Sequence, residues 1–232
     1  LVVRSIINRG GEQGAQHSQA LQSFFMHVPG IKVVMPATPA DAKGLLIGAI
    51  NDKNPVMFID DRWCYDETGS VTEDLSEIPL GKAEILEQGE DITIVAFSYM
   101  VNEALKASSV LRTKGINAEV INLRTIKPWD KELIIKSAKK TGRLIVCDTG
   151  WSQGGVAAEI ASNINGEVFR TLRSPTLRVG LPDIPAPCSR SLEEVYYPKC
   201  NTIIQACLAS CGEMEYHEMQ FLNKDSPGII GF

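Results

Sequence analysis

No surplus of positive charge runs through this sequence: 23 lysines and arginines face 28 acidic residues, for a net charge of −5. A nucleic-acid surface or an anionic-lipid anchor needs a basic footprint, so neither partner is expected. No apolar run reaches membrane-spanning length, and none has the form of a secretory signal. The expected location is therefore the cytoplasm, or a mitochondrial matrix or plastid if a targeting segment precedes the chain. Closely spaced cysteine pairs are also lacking. Cys64, Cys147, Cys188, Cys200, Cys207 and Cys211 contain no Cys-x-x-Cys unit, and 232 residues need no disulfide staples. Cys147 lies in an apolar run and reads as a buried free thiol. Cys200, Cys207 and Cys211 fall on one helix face, where core packing is a better reading than zinc.

What is present is an ordinary globular balance, with 44% hydrophobic and 22% charged residues. The length allows one large domain or two of ordinary size. The chain opens on Leu1 inside a strand-like run, Leu1–Val3, and a part upstream is expected. Ser18 is expected to cap a helix running through His27 and stopped by Pro29-Gly30. Lys32–Met35 reads as a strand. Thr38, Pro39 and Asp41 supply an N-cap, a first-turn proline and an acid at N3. Leu45, Leu46, Ala49 and Ile50 give that helix an apolar face, and Pro55–Ile59 returns as a buried strand. Asp60 to Pro79 is polar and reads as a surface linker. A second block then alternates strands (Ile92–Phe97, Ala118–Leu123, Leu144–Cys147, and Arg178-Val179) with helices near Met100–Lys114, Asp130–Lys140 and Gly155–Asn163. Such alternation predicts α/β architecture with parallel sheets and right-handed crossovers. The residues from Gly212 onward, with His217 and Pro227-Gly228, read as a tail.

Only three histidines occur. His27 reads as closing its helix, where a cation is favoured. His17 stands differently, behind Gly10, Gly11 and Gly14 in Gly14-Ala15-Gln16-His17-Ser18-Gln19. A lone histidine more often bonds locally. Three preceding glycines, however, let backbone approach a ligand, and a neutral imidazole there could pass protons or steady a developing oxyanion. A second candidate is Ala49-Ile50-Asn51-Asp52-Lys53-Asn54-Pro55. The last carbonyls of a helix lack intrahelical partners, and the oxygens of Asp52 and Asn54 join them. Clustered carbonyls suit a weakly hydrated monovalent cation better than zinc.

Long strings carry a resemblance. They include Gly14–Gln19, Pro29–Pro36, Asp41-Ala42-Lys43-Gly44-Leu45-Leu46, Ile78-Pro79-Leu80-Gly81-Lys82-Ala83 and Glu119–Pro128. Together they resemble the β subunit of thiamine-diphosphate-dependent 2-oxo acid dehydrogenases, within the transketolase-like superfamily, over about the first 210 residues. The resemblance implies the end of a pyrimidine-binding parallel-sheet domain over residues 1–66. It further implies a linker over 67–79, a transketolase C-terminal-type α/β domain over 80–211, and a tail over 212–232. It implies thiamine diphosphate with magnesium, shared with a partner α subunit, and potassium held by oxygens of Leu1, Ala49, Ile50, Asp52 and Asn54. His17 matches the residue implicated in acyl transfer to the lipoyl arm. Asp183 matches an aspartate that helps dock the dihydrolipoyl acyltransferase in some members of the family; the other reading is a simple turn residue. An α2β2 assembly with a second β subunit follows from the same likeness. The carboxylate that activates thiamine is expected upstream of Leu1, since Glu12 sits in a different motif, so this stretch alone is expected to be inactive. The chain departs from the family pattern at Ile6–Glu12 and Asp60–Tyr65. Two other readings stay open: a transketolase-like or deoxyxylulose-phosphate-synthase-like two-carbon transfer, and a non-catalytic dimerisation module.

Overall fold

The computed structural model describes residues 1–213 and the backbone of 229–231. His217 and Pro227-Gly228 lie outside the described residues.

Two sheets share the chain. The first has the order β1-β3-β2-β7, built from β1 (Val2–Ile7), β2 (Lys32–Val34), β3 (Val56–Asp61) and β7 (Thr125–Lys127). β1 and β2 both run parallel to β3, which is buried along its whole length, as a strand covered on both sides must be. β7 joins antiparallel to β2, so a strand from far along the chain completes the first sheet. The second sheet has the order β10-β9-β8-β5-β6-β4. Its strands are β4 (Glu84–Glu87), β5 (Ile92–Ala96), β6 (Ala118–Asn122), β8 (Leu144–Trp151), β9 (Leu177–Leu181) and β10 (Ile229–Gly231). The four inner strands are parallel; the two edge strands are antiparallel. Part of the stretch expected to be a tail thus forms an edge strand.

The Thr38-Pro39-Ala40-Asp41 signal starts α3 (Pro39–Asn51) with a reciprocal capping box. Leu45 and Ala49 bury against Val34, Val56 and Phe58. Ile50, expected on that face, is instead 65% exposed. The buried stripe runs through Asp41, Gly44, Leu45, Gly48 and Ala49, because Ile78 lies against both glycines and donates its N–H to the Gly44 carbonyl at 3.0 Å. The segment expected as a linker from Asp60 is corrected at its start. Asp60 and Asp61 are the buried last residues of β3, kept there by Arg4 at 2.5 Å and Arg9 at 2.8 Å. The helix expected from Ser18 is also interrupted. One turn, α1 (Gly14–His17), ends at Ser18, and α2 (Gln22–His27) begins separately because the Gln22 side chain is drawn into the interior.

In the second unit α4 (Met100–Thr113) and α8 (Cys200–Cys211) cover one sheet face. Cys147 and Cys207 are fully buried there, with Cys200 and Cys211 packed alongside. On the other face lie α5 (Lys131–Thr141) and α6 (Val156–Val168), which share one apolar cluster with Ile7, Val33, Met35, Met57 and Ile59 of the first unit. The two units therefore have a common core. β4 is a glutamate-bearing edge, and its acids are engaged: Glu84 by Arg124, and Glu87 by Arg112 at 3.0 Å. Among the described residues no helix is long and apolar enough to cross a membrane.

Candidate functional site

The loop from Asn8 to Leu21 connects β1 to α2, and its shape depends on glycine. Gly10, Gly11 and Gly14 have φ of +66°, +100° and +66°. A Cβ on Gly10 would stand 2.7 Å from Trp63 Nε1, and one on Gly14 would overlap the Cys188 sulfur. The backbone is thus pressed onto the 3₁₀ turn Arg62–Cys64 at one point and onto the loop before α7 (Arg190–Tyr196) at another. His17 closes the single turn α1 with its imidazole exposed, and its carbonyl accepts the Asn8 N–H at 3.3 Å. The helix start expected from Ser18, directly after His17, is not formed there; the histidine stands at the end of its own turn.

Two buried polar contacts tie this loop to the end of β8. Before the glycines, the Arg9 side chain is fully buried; Nε donates to Asp61 at 2.8 Å and Nη2 to the Thr149 carbonyl. Its guanidinium faces the rings of Tyr99 (4.7 Å), Tyr197 (5.1 Å) and Trp63 (5.8 Å). Burial works against the Arg9 cation, but Asp61 and the two tyrosines outweigh it and its pKa rises. After the glycines, buried Gln22 donates to Asp148 Oδ1 at 2.9 Å. Asp148 also accepts the Gly150 N–H at 2.7 Å and the Ala157 N–H at 3.0 Å, in the first turn of α6. Burial pushes the Asp148 carboxyl up, while those backbone donors and Gln22 hold it down.

At the other end of the first sheet, Asp52 accepts from Lys32 Nζ and from Asn54 through N–H (2.8 Å) and side-chain amide (3.0 Å). These contacts, led by Lys32, lower its pKa to about 2. Ala49 and Ile50 lie in the last turn of α3, where carbonyls have no following helical donor. The Leu1 carbonyl accepts the Val56 N–H at 2.9 Å. These residues lie at the end of the first sheet opposite the loop that carries His17. Asp183 stands elsewhere, exposed in the turn after β9. The neighbouring Ile184 carbonyl accepts from Trp151 Nε1 and Tyr196 Oη, both at 3.0 Å, which fixes that turn. A cavity of about 680 Å³ between α6 and β9 contains none of these candidates.

Residues 1–66 match the transketolase pyrimidine-binding domain, and residues 81–203 match the transketolase C-terminal domain. The chain belongs to the transketolase family. This transketolase-family chain is 40% identical over 213 residues to the acetoin:2,6-dichlorophenolindophenol oxidoreductase subunit beta of Bacillus subtilis, covering 92% of itself and 62% of that protein. It is 41% identical over 211 residues to the pyruvate dehydrogenase E1 component subunit beta of Rickettsia bellii, covering 91% of itself and 65% of the relative. It thus spans less than two thirds of the length of these relatives. A split-gene transketolase, solved as an inactive beta4 tetramer, shares the fold with a TM-score of 0.72 at 24% identity, over 91% of this chain and 65% of that one.

The family implies thiamine diphosphate, and the described residues do not form a seat for it unaided. The acids around the loop are already engaged, Asp61 by Arg9, Asp148 by Gln22, and Glu12 by Arg190 at 3.8 Å. No three His, Cys, Asp or Glu side chains converge as a metal-binding group among the described residues. What the transketolase-family chain offers is a rim: an exposed imidazole on a loop held between two units. Sequence reasoning missed Arg9, Gln22, Asp61 and Asp148. The one signal available for Asp61 was a pair of acids ending an apolar strand, a costly place for charge without partners.

Proposed function

We propose that this chain is the C-terminal part of the β subunit of a thiamine-dependent 2-oxo acid dehydrogenase. The observation that carries the reading is His17, exposed on a glycine loop where the pyrimidine-binding and C-terminal units meet. In the full assembly the reaction is oxidative decarboxylation with acyl transfer to a lipoyl group. Thiamine diphosphate supplies the carbanion chemistry when bound. His17 holds or moves a proton at an imidazole nitrogen, or orients the entering acceptor. The magnesium and diphosphate belong to the α subunit, which pairs with this subunit and a second β subunit.

The organisation is a unit over 1–66, a linker over 67–79 and a unit over 80–211. Potassium is held by oxygens of Leu1, Ala49, Ile50, Asp52 and Asn54, because neutral carbonyls suit a weakly hydrated monovalent cation. Asp183, on its fixed turn, contacts the dihydrolipoyl acyltransferase. The test is to assemble the full-length subunit with its α partner and follow carbon dioxide release. Release from a short or branched 2-oxo acid is expected. Transfer of two-carbon units between sugar phosphates instead would refute the reading, and so would an assembly that turns over neither.

A further inference from the structure

His17 can act only if something aims its imidazole. An exposed imidazole on one helical turn, after three glycines of positive φ, has little local stiffness. The loop packs on Trp63 and Cys188 midway and the His17 carbonyl accepts from Asn8, and buried polar ties hold its two ends. Each end is tied to successive residues of one strand: Arg9 to the Thr149 carbonyl, and Gln22 to the Asp148 carboxylate. The same strand end is stiffened by α6, whose first turn donates to Asp148. Gly150 follows directly, and a Cβ there would displace the Gln22 amide.

Neither tie is the cheapest way to fill the space. Arg9 Nη1 and Gln22 Oε1 are buried with no hydrogen-bond partner among the described residues. A buried unmatched polar atom costs stability, so apolar packing would serve stability better. Geometry is what a guanidinium fork and a primary amide provide and a leucine does not. Buried ionic and polar groups of this kind are used to specify one arrangement.

We propose that Arg9 and Gln22 are positioning residues that, through the Asp148–Thr149 end of β8, set where the loop presents His17. The inference rests on the role given to His17 above. It makes the C-terminal unit part of the catalytic geometry, although none of its own side chains need touch the substrate.

A double-variant cycle in the assembled complex tests this, read as reductive acylation of a lipoyl domain. His17→Ala is compared with Arg9→Lys and with the pair together; Arg9→Lys keeps a cation beside Asp61 but removes the fork. Misplacement by an ångström can cost about 10²-fold, so a loss of that order is expected for Arg9→Lys, in kcat rather than in KM for the lipoyl domain. The double variant is expected to be no slower than His17→Ala alone, because both changes remove the same contribution. Gln22→Leu, which leaves Arg9 and Asp61 paired, carries the same cycle from the other side and is expected to behave alike. Losses that multiply in either double variant would overturn the inference while leaving His17 its role. A His17→Ala complex that acylates normally would remove that role, and this inference with it.

Discussion

At the scale of single residues, the dominant fact is a guanidinium buried from bulk solvent. Arg9 is held by one carboxylate, one carbonyl and three aromatic rings. Taking two charges out of water costs more than most surface pairs return, so each partner is tolerable only while the other remains. Asp61→Asn keeps the shape and removes the countercharge, and breaking a buried pair in this way costs about 3–5 kcal/mol. For a chain of this size that corresponds to a thermal midpoint lower by about 10 °C, read by calorimetry or circular dichroism. Adding Arg9→Met should restore part of the loss, since the uncompensated charge is then gone. Two acids ending an apolar strand hinted that Asp61 needs a partner, but the partner itself was not legible in the sequence. Arg9 meets Asp61 and Thr149 only after the chain has folded, and nothing local marks a pair separated by 52 or 140 residues.

At the scale of elements, legibility follows how local the determining forces are. The start of α3 was readable because its capping box is complete within Thr38–Asp41. The inner strands β5, β6 and β8 were readable from the apolar runs Ile94-Val95-Ala96, Val120-Ile121 and Leu144-Ile145-Val146-Cys147, although each strand also buries polar residues. The break between α1 and α2 was not, since Ser18 resembles an N-cap and the force that ends the helix is the distant Asp148 drawing in Gln22. β7 escaped for a similar reason: three residues, Thr125–Lys127, pair with a strand of the other unit. The Lys32–Asp52 pair, joining β2 to the end of α3, gives this scale a pH test. The Asp52 carboxyl is depressed from 3.8 to about 2 on folding. Its contribution is therefore present above the unfolded value and is lost as pH falls from 3.8 towards about 2. Urea midpoints measured across that range should fall with pH, and Asp52→Asn should flatten part of that slope. An unchanged slope in the variant would place the acid sensitivity elsewhere.

At the scale of the whole molecule, the two units are not beads on a string. They share an apolar cluster, a strand crosses from one into the sheet of the other, and the loop bearing His17 is tied to both. Fold class and the order of the two domains were legible from long motif strings. The way one unit braces the other's loop was not, because it depends on contacts across the common core. In the β-subunit reading, the bracing serves one end: an imidazole in a fixed place at the mouth of a site completed by a partner subunit. The most direct measurement is the rate of lipoyl reductive acylation by the assembled complex carrying His17→Ala. General acid–base assistance is worth about 10²–10⁴-fold, and a loss within that range is the result the account predicts. Acylation at the unmodified rate would contradict it.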